Sequence, residues 1–230
     1  SDLVGLAYLG LVLPGRRAAR WLRWSLRELD EEMRVQVLPD GVHWELTPAY
    51  HRLVAELVLP AVILCERNGV AVPPGLRERC RAMVDYTSQY LKPDGRCPLI
   101  RDADDGRVML LDGGDYRDHG NLLSLGGAYF EHAPWLNQAG RISGEVVWLL
   151  GPEGVDRARR LRGPAPAYSS RAFPEGGYYI LRDADRTHVF AICSGVGMMG
   201  AHGGHAHADC LSFELFDSGV TWITDSSSYC

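Results

Sequence analysis

The sequence predicts an α+β molecule in two parts, helices first and antiparallel β-structure after. Three observations carry this. Over roughly the first 155 residues, apolar side chains recur at steps of three and four, the spacing of one helix face. From about residue 178, apolar and polar residues alternate as on a strand. Between the two lie a basic run, Arg157 to Arg162, and Gly163-Pro164-Ala165-Pro166, which reads as a linker. Helices followed by strands, without alternation, imply two layers or domains rather than a βαβ sheet. The boundary is placed near residue 165, giving residues 1–165 and 166–230.

Each element follows in order. Leu3 to Leu13 reads as a core helix: it is too short to span a bilayer, and arginines follow it instead of preceding it, unlike a signal peptide. Leu22, Leu26, Leu29, Met33 and Val37 form one stripe, ended by Pro39-Asp40-Gly41. Leu53 to Leu64 forms another, which Pro60 is expected to kink or break. Leu76, Cys80, Met83, Val84 and Leu91 form a third, closed by Pro93-Asp94-Gly95. Shorter helices are expected over Leu122 to Phe130 and Val146 to Leu150, after an Asp- and Gly-rich loop. Strands are expected over Tyr178 to Arg182, His188 to Cys193, Leu211 to Phe216 and Val220 to Thr224.

Composition excludes little. The net charge of -5 recruits no nucleic acid, and a polyanionic substrate would need a local basic patch. Lys92 is the sole lysine; arginine suits bidentate contacts to carboxylate or sulfate, but a GC-rich coding sequence gives the same excess. The six cysteines form no CxxC pair and suggest neither a zinc ribbon nor a disulfide framework.

Three constellations could carry chemistry. In Gly203-Gly204-His205-Ala-His207-Ala-Asp209, an extended chain would put His205, His207 and Asp209 on one face, in line with Leu211, Phe213 and Leu215. Imidazoles at the end of an apolar stripe need a metal or a hydrogen-bonding partner such as Asp225; a surface histidine cluster is the alternative. Tyr50 opens a helix near Glu45 and His51 and could be a general base if its pKa were lowered; taken alone, a tyrosine at a helix start is more often a packing residue. Asp225 closes an apolar strand, placed either as a ligand or as an Asx-turn residue. HxHxD also resembles the metal motif of metallo-β-lactamase-like hydrolases, but Cys210 stands where those have a histidine.

Gly204 to Leu215, followed by a glycine turn, Trp222-Ile-Thr-Asp225 and Tyr229, resembles the signature of the heparinase II/III-like family. Gln36 to Gly41 with Glu45-Leu-Thr-Pro-Ala-Tyr50-His51, and Pro98 to Arg107, resemble segments of the same family. The resemblance implies an N-terminal (α/α) toroid-like domain followed by an antiparallel β-sandwich-type domain, incomplete here. It implies a polysaccharide lyase that cleaves uronic-acid-containing chains by β-elimination. Tyr50 and His205 would be catalytic; Tyr229, Glu45 and His51 would bind substrate; His207 and Asp225 would hold a structural zinc. An acidic polysaccharide is the expected partner, with no nucleic acid and no membrane span, in the periplasm or secreted. A carboxylate-binding Asn or His and a third zinc ligand are expected beyond the two ends of the chain. The alternative is a non-catalytic glycan-binding or exopolysaccharide-assembly protein of the same fold.

Overall fold

The arginine-rich sequence after Gly15 winds into a helix because its apolar residues keep to one side. Leu22, Leu26, Leu29 and Met33 are buried there while the arginines face water. In the computed structural model, which describes residues 1–109, 111–161, 163–164, 168–184, 186–194 and 203–226, this is α2 (Arg16–Gln36). It packs against α1 (Asp2–Val12) and α4 (Pro74–Tyr90), and α4 packs against α3 (Pro48–Arg67). A second group, α5 (Gly120–Tyr129), α6 (Ala133–Ala139) and α7 (Gly144–Arg160), packs around α5.

Helix α3 is the core helix. It is apolar and long enough to cross a membrane, but 72% of its most apolar window is buried within the protein. Thr47 caps its start, accepting from the Ala49 amide at 3.2 Å, with Pro48 in the first turn. Pro60 does not end it: the helix runs on to Arg67, so the expected break is corrected. One further expectation falls: the basic run 157–160 is not between the two parts but belongs to α7, which passes Gly151 in a left-handed conformation (φ 68°). Helix α6 was not expected, since it carries no apolar period long enough to read.

Among the described residues, five strands make one antiparallel sheet in sequence order: β1 (Arg171–Phe173), β2 (Tyr178–Asp183), β3 (Thr187–Ile192), β4 (Phe213–Asp217) and β5 (Val220–Ile223). Phe173, Tyr178, Ile180, Phe190 and Ile192 are buried and join the core built by the helices, and Phe216 is buried on the same face. The opposite face carries Tyr179, Leu181, Phe213 and Ile223, all exposed. The apolar parity of β4 is therefore the reverse of the expected one. Glu214 and Phe216 point inward, and Phe213 points out. Leu211 is not in a strand; it is a turn residue with φ 67° and 80% exposure.

The two layers are joined by buried charge. Lys92, just after α4, pairs with Glu214 of β4 at 2.8 Å, both nearly inaccessible. Glu214 also accepts the Leu99 amide and the Thr224 hydroxyl. Arg101 pairs with Asp209 at 3.4 Å. Arg182 of β2 donates to the carbonyls of Gln89 and Leu91.

Candidate active site at the seam between helices and sheet

The site begins with the turn that connects α2 to α3. Gly41 (φ 90°) lies so close to Ala82 that a Cβ would sit 2.4 Å from its carbonyl oxygen, so only glycine fits. Leu46 is held left-handed (φ 56°), and its carbonyl accepts the Tyr178 hydroxyl from β2. This turn delivers Glu45 and, in the first turn of α3, Tyr50 to the edge of the sheet layer.

The second piece of the site is the loop after α4. Arg52 and Glu56, both buried in α3, hold this loop by its backbone. Arg52 donates to the carbonyls of Gly106 and Tyr116, and Glu56 accepts the Val108 amide at 3.0 Å. Arg101 is left-handed (φ 61°), a conformation that costs a non-glycine residue on the order of 1 kcal/mol. The turn it makes presents Asp102. Thr47 donates to the Asp102 carbonyl at 2.7 Å, tying the loop to the α3 cap.

The third piece is the glycine-histidine loop of the sheet layer. His205 and His207 sit in a loop between β3 and β4, not in a strand, so the expected alternation is corrected. Both imidazoles nevertheless converge, on Asp102: His205 Nδ1 lies 3.1 Å from Oδ2, and His207 Nε2 lies 2.8 Å from Oδ1. These bonds hold the Asp102 carboxyl below its usual range, that to His207 most strongly. Asp209 turns instead to Arg101 and is buried.

Tyr50 meets this loop directly. Its ring stacks on His205, with centroids 4.1 Å apart and planes 27° apart. Its hydroxyl donates to Asp104 Oδ2 at 3.1 Å. His205 Nε2 is 4.0 Å from Glu45 Oε2. Burial first, then the hydrogen bond to Asp104 and the charges of Asp104, Asp102 and Glu45, push the Tyr50 phenol up to about 12. Burial raises Glu45 as well, and His205 opposes that. The lowered tyrosine pKa that a resting base requires is absent.

Other expected residues fare differently. His51 is buried, with Nε2 3.0 Å from the Met83 carbonyl and 3.2 Å from Thr87 Oγ1. One residue past Tyr50 on a helix is a rotation of about 100°, which turns it into the core, so its assignment to substrate is corrected. Tyr229 lies outside the described residues. Asp225 lines a shallow groove with Ile100, Leu211 and Ile223. Among the described residues no three His, Cys, Asp or Glu side chains gather to hold a metal, and His207 Nε2 already faces Asp102. His207 and Asp225 alone are too few for a zinc site. Asp102 and Asp104 were not anticipated as site residues; the Asp102-Ala-Asp104 spacing, two carboxylates on one side of an extended segment, was the available signal.

Comparison with known proteins settles the family. A model described as "Heparinase II/III N-terminus" matches residues 1–117, and one described as "Heparinase II/III-like, C-terminal" matches residues 165–230. The chain belongs to the heparinase II/III family. This heparinase II/III chain is 22% identical to a heparin-sulfate lyase of Bacteroides stercoris over 97% of its length, covering 30% of that protein. It is 21% identical to a heparin-sulfate lyase of Bacteroides thetaiotaomicron, over 98% of its length and 32% of that protein. It therefore spans about a third of these relatives. Among solved structures, a heparinase III superposes with a TM-score of 0.74 at 19% identity, over 98% of this chain and 34% of the other. A heparan sulfate lyase from Pedobacter heparinus gives 0.71 at 20% identity, over 98% of this chain and 32% of the other.

Proposed function

We propose that the protein to which this chain belongs is a polysaccharide lyase that cleaves uronic-acid-containing chains by β-elimination at the Tyr50–His205 seam. The observation that supports this most is the stacking of those two rings. They come from different layers, about 155 residues apart in sequence, and meet at a partly open edge. The relatives named as heparin-sulfate lyases point to the same substrate class, an acidic polysaccharide.

The chemistry follows from the groups present. The C5 proton of a uronate is α to a carboxylate and leaves only if the developing enolate is stabilised. His205 Nδ1 is engaged by Asp102, which leaves Nε2 to face the substrate; protonated, it donates to the uronate carboxylate. Tyr50 is a neutral phenol whose proton already points at Asp104. As Tyr50 Oη takes the C5 proton, its own proton passes to Asp104 Oδ2. The phenol then donates the acquired proton to the departing O4, and Asp104 returns its proton to Tyr50. No step uses a metal.

The three carboxylates around Tyr50 favour a second reading, since they repel a uronate. This is a non-catalytic glycan-binding or exopolysaccharide-assembly protein of the same fold. The HxHxD hydrolase reading gains no support, because Asp209 faces Arg101 and not the histidines. The deciding experiment incubates the full-length protein with heparan sulfate, alginate and other uronate polymers and follows ultraviolet absorbance of the unsaturated product. A rise on one of them is expected. Binding without product on all of them would favour the second reading.

A further inference from the structure

We propose that the exposed face of α2 is a second contact for the polymer, an arginine row that holds a sulfated or carboxylated polysaccharide outside the cleft. Arg16, Arg20, Arg23 and Arg27 recur at steps of four, three and four. At 100° per residue they fall within about 60° of arc, one row about 16 Å long. All four are exposed, as is Arg17. Beside the row stands Trp24, 45% exposed. Among the described residues, Arg27 alone of the row has a carboxylate partner, Glu28 at 2.7 Å.

The charge order of the helix shows that stability does not explain the row. A helix N-terminus favours anions, and its C-terminus favours cations. Helix α2 has no acidic residue in its first turn, which opens Arg16-Arg17, while Glu28, Asp30, Glu31 and Glu32 crowd its second half. Neighbours three and four apart within the row also repel one another. An anionic chain lying along the row relieves both penalties. Guanidinium forks match carboxylate and sulfate oxygens in pairs, and the indole offers a flat apolar surface to a sugar ring. The whole chain carries a charge of -5, so this row is the kind of local basic patch that a polyanion requires.

Position selects a polymer. The far end of α2 leads into the turn that carries Glu45, so the row begins about 14 Å and ends about 30 Å along the helix axis from that turn. A single sugar cannot reach both places, whereas a long chain can. The inference rests on the cleft acting on an acidic polysaccharide, and its test fails separately from that reading.

The test is the triple variant Arg16→Gln, Arg20→Gln, Arg23→Gln in the full-length protein, glutamine being chosen because it keeps helix propensity. Long heparin and a heparin tetrasaccharide serve as probes. Affinity for long heparin at physiological salt is expected to fall roughly tenfold, and its salt dependence to flatten. KM for the long chain rises in step, with kcat and the tetrasaccharide KM unchanged. A folded triple variant that binds long heparin as the parent does overturns the proposal. If the parent yields no unsaturated product from any polymer, the cleft reading has failed, and the heparin affinities still decide the row. Tighter parental binding to RNA or to anionic phospholipid vesicles than to heparin, lost in the variant, overturns the polysaccharide assignment.

Discussion

Two tyrosine–histidine pairs in this chain use the same side chains for different ends. In the helical core, the Tyr90 hydroxyl lies 2.7 Å from His119 Nδ1, and both residues are almost wholly buried. At the seam, Tyr50 stacks on His205 with both rings partly open. Burial drives the Tyr90 phenol far up and the His119 imidazole well down, so both stay neutral at any working pH. Tyr50 is also raised, to about 12, but partly by carboxylates whose influence an arriving ligand can change. Residue type does not make a site; a charge that can be altered from outside does.

The contrast breaks most sharply if buried charge is not what holds the seam together. Lys92→Met leaves Glu214 ionised and unpaired in the interior, and should cost about 3–5 kcal/mol. Adding Glu214→Gln, whose amide oxygen can still accept from both Leu99 and Thr224, should recover most of that loss. Denaturant unfolding measures both. A single variant within about 1 kcal/mol of the parent would mean that the pair behaves like an exposed one.

A smaller effect sharpens the seam itself. Asp102 is the carboxylate that both loop imidazoles share. In the full-length protein, Asp102→Ala should lower kcat about 10–100-fold, as removal of an orienting partner does elsewhere, with little change in melting temperature. Unchanged kcat would show that His205 holds its orientation without Asp102.

A gradual, pH-dependent effect belongs to the buried histidines. Burial pulls His51 down to about 4 and His188 to about 3. Their folded pKa values lie below the unfolded value of about 6.5, so below that pH the unfolded chain binds more protons. Stability is then retained above about pH 6.5 and falls as the pH drops toward 4. The loss is at most about 1.4 kcal/mol per pH unit for each histidine. Melting temperatures at pH 7 and 4.5 measure the slope, which His51→Gln should flatten.

Much of the fold was legible because it depends on local period. Leu22 to Met33 marked α2, and Tyr178 to Arg182 marked β2. What failed was set by tertiary context. Pro60 is buried inside a long core helix that continues past it to Arg67. The parity of β4 reversed because Glu214, read as an outward polar residue, found Lys92 inside. In the site, Tyr50 and His205 were marked by two ordered motifs. Asp102 and Asp104 lie in the third resembling segment, Pro98 to Arg107, but carried no assigned role, because that role depends on a loop held by Arg52 and Glu56 from another helix.

The two tyrosines give the most direct test of the central claim. Tyr50→Phe and Tyr90→Phe each remove one oxygen, and kcat on the best uronate polymer is compared with unfolding free energy for both in the full-length protein. If the seam carries the chemistry, Tyr50→Phe lowers kcat by about 10²–10⁴ with stability nearly unchanged. Tyr90→Phe leaves kcat near normal and costs about 1–3 kcal/mol, from the unpaired His119 nitrogen. Near-normal turnover by the folded Tyr50→Phe protein would contradict the assignment of β-elimination to the Tyr50–His205 seam.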